Sequence, residues 1–203
     1  MPDFDKTKQS GDFNRTGTML EQKVKHLEDV VYSVTWDDLK APASGINPAG
    51  QVAPPDVSNV DGSLLFSTND AVCLWLQFPH DYVEGSNIRI HIHWTKTSNA
   101  TGVVNWQTKY KWASIGELFP AFSSLKSGTL SVSDKDTDGI HALTEFGEIS
   151  GIGKGISSMI CIYLIRTATG DTYGAEAKLL EIDIHYQRNI YSSNEEYSKK
   201  VFS

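Results

Sequence analysis

Between residues 63 and 187 the chain is a series of short runs in which apolar and polar residues alternate, separated by Gly, Asn, Asp and Ser. A period of two residues is the pattern of a β-strand that has one buried face and one exposed face. The runs are SLLFS, AVCLWLQF, NIRIHIHWT, VVNWQTKYKW, GTLSV, MICIYLIR and AKLLEIDIHYQ. About seven to nine strands at this spacing predict an all-β chain folded as an antiparallel β-sandwich, and the long links between some of them favour a jelly roll.

The 203 residues suffice for one such domain with short extensions at both ends. We expect an extended N-terminal arm at residues 1–30, the β-sandwich at 31–187 and a C-terminal tail at 188–203. The arm leads into TMLEQKVKHLEDVVYSV, whose apolar residues repeat four and three positions apart. This spacing predicts one short helix that packs on its own domain, because two heptads are too few for a stable coiled coil.

Composition excludes some partners and favours one compartment. The net charge of −7 argues against nucleic-acid binding, which requires clustered Lys and Arg. The longest apolar run, from Met159 to Ile165, is too short to span a bilayer, and the N-terminus shows no apolar leader. We therefore expect a cytosolic chain with neither nucleic acid nor membrane as a partner, in which Cys73 and Cys161 are buried thiols.

The run NIRIHIHWT contains two histidines on one face of its strand, opposite a face of isoleucines and Trp94. The following loop, TSNATG, predicts a hairpin with the run VVNWQTKYKW, in a register that pairs Ile92 with Thr108. This register surrounds the two histidines with four polar or cationic side chains: Arg89, Gln107, Lys109 and Lys111. Nearby cations oppose the binding of a metal ion, so a structural polar face is the main interpretation.

A metal site remains the alternative for these histidines. Gly85 followed by His91 and His93 resembles the first part of the metal-binding motif of cupins, although Thr97 and Ser98 stand where that motif has a glutamate. The run AKLLEIDIHYQ could supply more ligands, since parity turns Leu180, Ile182, Ile184 and Tyr186 to the core and Glu181, Asp183, His185 and Gln187 away from it. The alternative site uses His91, His93 and His185.

The segment DKDTDGIHALTE matches a calcium-loop pattern, with ligand positions at Asp134, Asp136, Asp138 and Glu145 and the turn glycine at Gly139. The helices that normally flank such a loop are missing from the pattern, since GTLSVS before it is strand-like. An exposed acidic turn is therefore the main interpretation, and a calcium site is the alternative.

No catalytic or cofactor site is predicted. The segment GIGKGISS at 151–158 lacks the Ser or Thr that follows the lysine of a phosphate loop, so it is interpreted as a strand connector. Ser157 lies outside a G-x-S-x-G motif, and no spacing nominates a Ser, His and Asp triad. Exposed aromatic rings could make the domain a glycan-binding or receptor-binding module, but strand registers decide which rings are exposed.

Several segments together resemble a widespread family of tailed-bacteriophage proteins: VTWDDLKAP, FPHDYVEGSNIRIHIHWTK, VVNWQTKYKWA, SSMICIYLIRTATGDTYGAEAKLLEIDIHYQ and SSNEEYSKK. The resemblance spans residues 34–200 and implies a non-enzymatic virion protein, either a capsid decoration (cement) or a neck or tail component. It implies assembly in the host cytoplasm, contacts with major capsid, portal or tail proteins, and self-association. For such a subunit, held by its terminal arms, a trimer is the favoured homo-oligomer.

Overall fold

The computed structural model describes residues 17–24, 35–48, 53–132, 139–189 and 193–196. Residues 17–24 form a short helix, and a 3-10 turn at Ala43–Gly45 follows the first strand. The strands are β1 Thr35–Pro42, β2 Asp56–Val57, β3 Leu64–Phe66, β4 Ala71–Gln77, β5 Ile88–Lys96, β6 Gly102–Ala113, β7 Lys126–Val132, β8 His141–Ile149, β9 Met159–Arg166 and β10 Ala177–Arg188. In the described part of the chain, no helix is long and apolar enough to cross a membrane.

The strands form two antiparallel sheets. The first has the order β2-β3-β10-β5-β8, with β1 also paired to β10, and the second has the order β4-β9-β6-β7. Strands pair as β3 with β10, β4 with β9, β5 with β8 and β6 with β7. The chain from β3 to β10 is thus one long hairpin rolled into two sheets, which is a jelly roll. The predicted fold class, an antiparallel jelly-roll β-sandwich, is confirmed.

The core lies between the inner faces of the sheets, as the alternation predicts. On β5 the inward residues Ile88, Ile90, Ile92 and Trp94 are completely buried. The polar groups of two core tryptophans are satisfied within the core, because Trp94 Nε1 donates to Thr144 Oγ1 at 2.9 Å and Trp112 Nε1 donates to Ser158 Oγ at 2.9 Å.

The predicted hairpin between the fifth and sixth strands is wrong. β5 lies in the first sheet between β10 and β8, whereas β6 lies in the second sheet between β9 and β7. The loop after Lys96 therefore crosses from one sheet to the other, and Ile92 pairs with Ile182 and Thr144. Parity assigns the faces of β5 and β6 correctly, but it does not decide which strand becomes the neighbour.

Three further expectations differ from the structure. Leu180 lies at a register shift between Leu179 and Glu181, so Leu179 takes the buried core position instead. β8 is a nine-residue strand, although the alternating runs found in the sequence do not include its residues. In the short helix, Leu20 and Val24 are exposed, so this part of the helix does not pack on the domain as expected; the rest of the predicted helix lies outside the described residues.

Candidate metal centre

Polar side chains converge on the outer face of the first sheet, and four of the six histidines of the chain lie there. We call this surface the histidine face. It consists of Asp38 on β1, His91 and His93 on β5, His141 and Glu145 on β8, and Asp183 and His185 on β10.

Antiparallel register brings these side chains together. His91 lies directly opposite Asp183 on one neighbouring strand and opposite Glu145 on the other. Residues that face each other across strands project to the same side of the sheet. The carboxylates of β8 and β10 therefore surround the histidines, in place of the glutamine and lysines of β6 that the predicted hairpin would have placed there.

The centre of the histidine face is a carboxylate between two imidazoles. Asp183 Oδ2 lies 3.3 Å from His91 Nε2 and 3.1 Å from His93 Nε2. The Asp183 side chain is only 2% exposed, although it lies on the outer face of the sheet. Its second oxygen, Oδ1, is buried and receives no hydrogen bond from an N–H or hydroxyl donor among the described residues. The neighbouring Glu181 carboxyl hydrogen-bonds to Asp183 when it is protonated, and burial together with this bond raises the pKa of Glu181. A buried carboxylate with so few donors is stabilised by a bound cation or by a proton shared with a neighbouring acid.

Two further histidines border this centre without joining it. His93 Nδ1 contacts His141 Nε2 at 2.6 Å, on the side of the ring that faces away from Asp183. His185 Nδ1 contacts Asp38 Oδ1 at 2.7 Å, and its ring stacks on Trp36 with centroids 4.7 Å apart. These partners restrict the ring orientations of His93 and His185.

The pKa values of Asp183, His91 and His93 are shifted in different directions. Burial tends to raise the pKa of Asp183, but the hydrogen bonds from His91 and Glu181 and the charges of both histidines outweigh it and hold this pKa below its usual value. The hydrogen bond to Asp183 raises the pKa of His91. Burial lowers the pKa of His93, which favours the neutral imidazole that binds metal ions.

The described residues contain one group with the spacing of a metal site: His91, His93 and Asp183, whose ligand atoms all lie within 4.8 Å of one another. Metal bonds to imidazole and carboxylate of about 2.0–2.2 Å put neighbouring ligand atoms about 3 Å apart in octahedral or tetrahedral geometry. The observed distances of 3.1 Å and 3.3 Å fit this spacing. Two imidazoles and one carboxylate are a donor set for transition metals such as Zn²⁺, Co²⁺ or Fe²⁺.

A shallow cavity of about 270 Å³ opens beside the two histidines. It is lined by Asp38, Arg89, His91, His93, Glu145 and His185. A three-ligand site in this position would leave further coordination positions open to water or a small ligand from this cavity.

The cupin-like set predicted from the sequence, His91, His93 and His185, differs from the observed cluster in its third ligand. His185 is held by Asp38, and its ring centroid lies 6.2 Å from that of His91, so Asp183 is the third group of the cluster. Thr97 and Ser98, at the expected glutamate position, instead donate their backbone N–H groups to Tyr173 Oη. A carboxylate two residues from His185 on the same face was the signal available in the sequence.

Three of the four predicted calcium ligands, Asp134, Asp136 and Asp138, lie outside the described residues. Its last ligand position, Glu145, lies on β8 and lines the cavity of the histidine face. The calcium loop therefore stays a prediction.

One contact missed by the sequence analysis joins Ser157, His80 and Glu196. Ser157 Oγ lies 3.0 Å from His80 Nε2 and donates to Glu196 Oε2 at 2.9 Å, and His80 Nδ1 lies 2.6 Å from the carbonyl of Ser193. The serine is 3% exposed, and its own N–H already donates to Phe78 O. A catalytic serine must be accessible to substrate and needs free amide donors nearby to stabilise an oxyanion. The buried Ser157 does not have this access, so we interpret the contact as one that holds the segment 193–196 against the domain.

The registers also settle which aromatic rings are exposed. Trp75 on β4 projects from the outer face of the second sheet and is 47% exposed. Phe119 packs edge-on against it with centroids 5.0 Å apart, and Lys111 Nζ lies 5.0 Å from the Trp75 ring.

Comparison with known proteins gives structural similarities only. No protein-family model matches the sequence, and no curated protein matches it. Similar solved structures include the CBM36-1 domain of a multidomain xylanase from the hindgut metagenome of Trinervitermes trinervoides, with 14% identity, a TM-score of 0.41, and coverage of 73% of this chain and 96% of that one.

Two further structures are similar at the same level. A carbohydrate-binding module CBM36 in complex with calcium and xylotriose has 15% identity and a TM-score of 0.40, over 72% of this chain and 98% of that one. CBM35 from Cellvibrio japonicus Abf62 has 8% identity and a TM-score of 0.43, over 77% of this chain and all of that one. Similarities this low carry no information about ligand or function.

Proposed function

We propose that this chain is a non-enzymatic β-sandwich module that binds one divalent transition-metal ion through His91 Nε2, His93 Nε2 and Asp183. The observation that carries the proposal is the convergence of these three groups, with Asp183 Oδ2 within 3.3 Å of both imidazole nitrogens. The burial of the Asp183 carboxylate supports it, because no N–H or hydroxyl donor among the described residues reaches its second oxygen.

The donor set selects the class of metal. Imidazole nitrogen suits Zn²⁺, Co²⁺, Ni²⁺ and Fe²⁺, whereas Ca²⁺ and Mg²⁺ prefer oxygen ligands. His141 would act as a positioning residue: with His93 Nε2 on the metal, His93 Nδ1–H donates to His141 Nε2, 2.6 Å away. A metal ion bound here would also offset the desolvation cost of burying the Asp183 carboxylate.

The test uses tag-free protein stripped with a chelator. Isothermal titration with Zn²⁺ and Co²⁺ is expected to show one site per chain, and Co²⁺ is expected to develop visible absorption bands of a protein-bound ion. His91→Ala and His93→Ala together should abolish binding, whereas His80→Ala, a histidine outside the histidine face, should retain it. Absence of stoichiometric binding, or equal binding by the double variant, would overturn the proposal.

A second candidate, glycan binding, is favoured by the exposed Trp75 ring beside Phe119 and Lys111. A flat exposed indole can stack on a sugar ring, and an adjacent ammonium favours an acidic sugar. Glycan-array binding that Trp75→Ala removes, and that Trp36→Ala on the other sheet leaves intact, would support it. No hit on the array, or hits unchanged by Trp75→Ala, would remove it.

The virion role rests on the sequence resemblance and is a separate proposal about where the module works. It predicts that the chain is present in stoichiometric amounts in purified phage particles. Hundreds of copies per particle would support a shell decoration, and a dozen or fewer a neck or tail component, whereas absence from particles would remove it. Its predicted trimer is checked by light scattering of the purified chain.

A further inference from the structure

The two cysteines of the chain meet on the outer face of the second sheet. In the pairing of β4 with β9, Cys73 lies opposite Tyr163, and Trp75 lies opposite Cys161. The cysteines are therefore diagonal neighbours that project to the same side, and their Sγ atoms are 3.0 Å apart. Both are free thiols.

The two thiols have different surroundings. Cys73 is exposed, which corrects the expectation that both thiols are buried, whereas Cys161 is only 1% exposed. Burial raises the pKa of Cys161 to about 12, although the ammonium of Lys111, the residue opposite Cys161 on β6, opposes this rise. An oxidant in solution therefore reaches Cys73 first, and Cys161 is the group in position to react next.

We propose that Cys73 and Cys161 form a redox-active dithiol that closes to an intrachain disulfide when a peroxide oxidises Cys73. The reaction needs little movement, because the sulfurs must approach by only about 1 Å to reach a bonded distance of about 2.05 Å. A neighbouring thiol at contact distance converts the sulfenic acid to a reducible disulfide before further oxidation gives the irreversible sulfinic acid.

The chemistry balances in two steps. The Cys73 thiolate attacks one peroxide oxygen, so that an S–O bond forms and the O–O bond breaks. The departing hydroxide combines with the proton released by Cys73 and leaves as water. Cys161 sulfur then attacks Cys73 sulfur, the S–S bond forms, the S–O bond breaks, and the Cys161 proton leaves with the hydroxyl as a second water. Two thiols are oxidised and one peroxide is reduced.

Binding of a soft metal ion by the same pair has less support. Thiolate sites for Zn²⁺ use four ligands in structural centres. Within the described ranges, the cysteines have no His, Asp or Glu close enough to complete a group of three. Oxidation needs only the two sulfurs that are present.

The experiment follows the redox state of the full chain after reduction and removal of reductant. Equimolar hydrogen peroxide is added, remaining thiols are blocked with N-ethylmaleimide, and intact masses are measured beside a non-reducing gel. We expect a monomer about 2 Da lighter than the reduced chain, without maleimide adducts, which dithiothreitol restores to two free thiols. A sulfinic acid at Cys73 with Cys161 still free, or a disulfide-linked dimer as the main product, would overturn the proposal.

Two serine variants assign the roles of the sulfurs. In Cys161→Ser, Cys73 should accumulate sulfenic and sulfinic acids, because no resolving thiol remains. In Cys73→Ser, Cys161 should stay reduced at the same peroxide concentration, because it is buried. Circular dichroism of each reduced variant checks folding, and equal oxidation of Cys161 in both the native chain and Cys73→Ser would contradict the assigned order.

Discussion

Arg166 and Asp171 form an ion pair in the interior of the sandwich, with Arg166 Nε 2.8 Å from Asp171 Oδ2 and Nη2 2.9 Å from Oδ1. Each side chain is 1% exposed. The remaining guanidinium N–H groups donate to the carbonyls of Phe66, Tyr173 and Ala175. This pair therefore fixes the loop between β9 and β10, and with it the start of the strand that carries Asp183.

Removing one partner of this pair is expected to destabilise the chain strongly. Arg166→Met leaves a buried carboxylate and three carbonyls without their donor, which costs about 3–5 kcal/mol in the free energy of unfolding. Arg188→Met is the control, because Arg188 pairs with Asp37 and Asp81 at the surface, where solvent screens the ion pairs, and its loss should destabilise the chain far less. Urea unfolding measures both variants, and equal losses would refute the central role of the buried pair.

The corrected ligand set predicts opposite results for two residues of β10. Asp183→Asn should weaken Zn²⁺ binding by about 100-fold or more, because it removes a ligand charge from between the two imidazoles. His185→Ala should change the dissociation constant by less than about threefold, because His185 is held by Asp38 and lies outside the cluster. Calorimetric titration of both variants decides whether Asp183 or His185 is the third ligand beside His91 and His93. The reverse order of effects would restore the cupin-like set with His185.

Alkaline pH is expected to destabilise the fold through buried tyrosines. Burial raises the pKa of Tyr82 to about 12, from an ordinary value of 10.0, and burial also raises that of Tyr186. The folded state favours the neutral phenol, so this stability is complete below pH 10 and is lost as pH rises from about 10 to about 12. One unit of pKa corresponds to about 1.4 kcal/mol, which limits the Tyr82 contribution to about 3 kcal/mol.

Urea unfolding at about pH 8 and about pH 11 measures this loss. Tyr82→Phe should be less stable at the lower pH, because the hydrogen bond from Tyr82 Oη to Ser86 O at 2.6 Å is lost. Its stability should then fall less steeply towards high pH than that of the native chain. Identical pH slopes for the two proteins would show that Tyr82 does not titrate as the structure implies.

Gly151 is required by the close approach of two chain segments. A Cβ at this position would overlap Ser86 O and Tyr82 Oη. Gly151→Ala is therefore expected to cost about 1–3 kcal/mol, because backbone must move to make room. A Cβ added at Gly174 would meet open space among the described residues, so Gly174→Ala is the matched control and should stay within about 0.5 kcal/mol. Thermal unfolding compares the two, and a neutral Gly151→Ala would contradict the packing described.

Local alternation was sufficient to find most strands and their faces. The run MICIYLIR coincides with β9, and the isoleucines of NIRIHIHWT are all buried. The pleat of a strand turns successive side chains to opposite sides, so this information resides in neighbouring residues. β8 was missed because its buried positions include the small Ala142 and the polar Thr144, and because Gly147 interrupts it with a φ of 76°.

The sequence by itself determined that His91, His93 and Asp183 project from the polar faces of their strands. Only the tertiary structure decided that β5 lies between β8 and β10 and not beside β6, which replaced predicted lysine neighbours by carboxylates. The physical reason is that parity is local, whereas the choice of neighbouring strand depends on how two whole sheets bury their inner faces together. The same packing buried Asp183 on an outer face, and so brought a carboxylate and two imidazoles to the spacing of metal ligands.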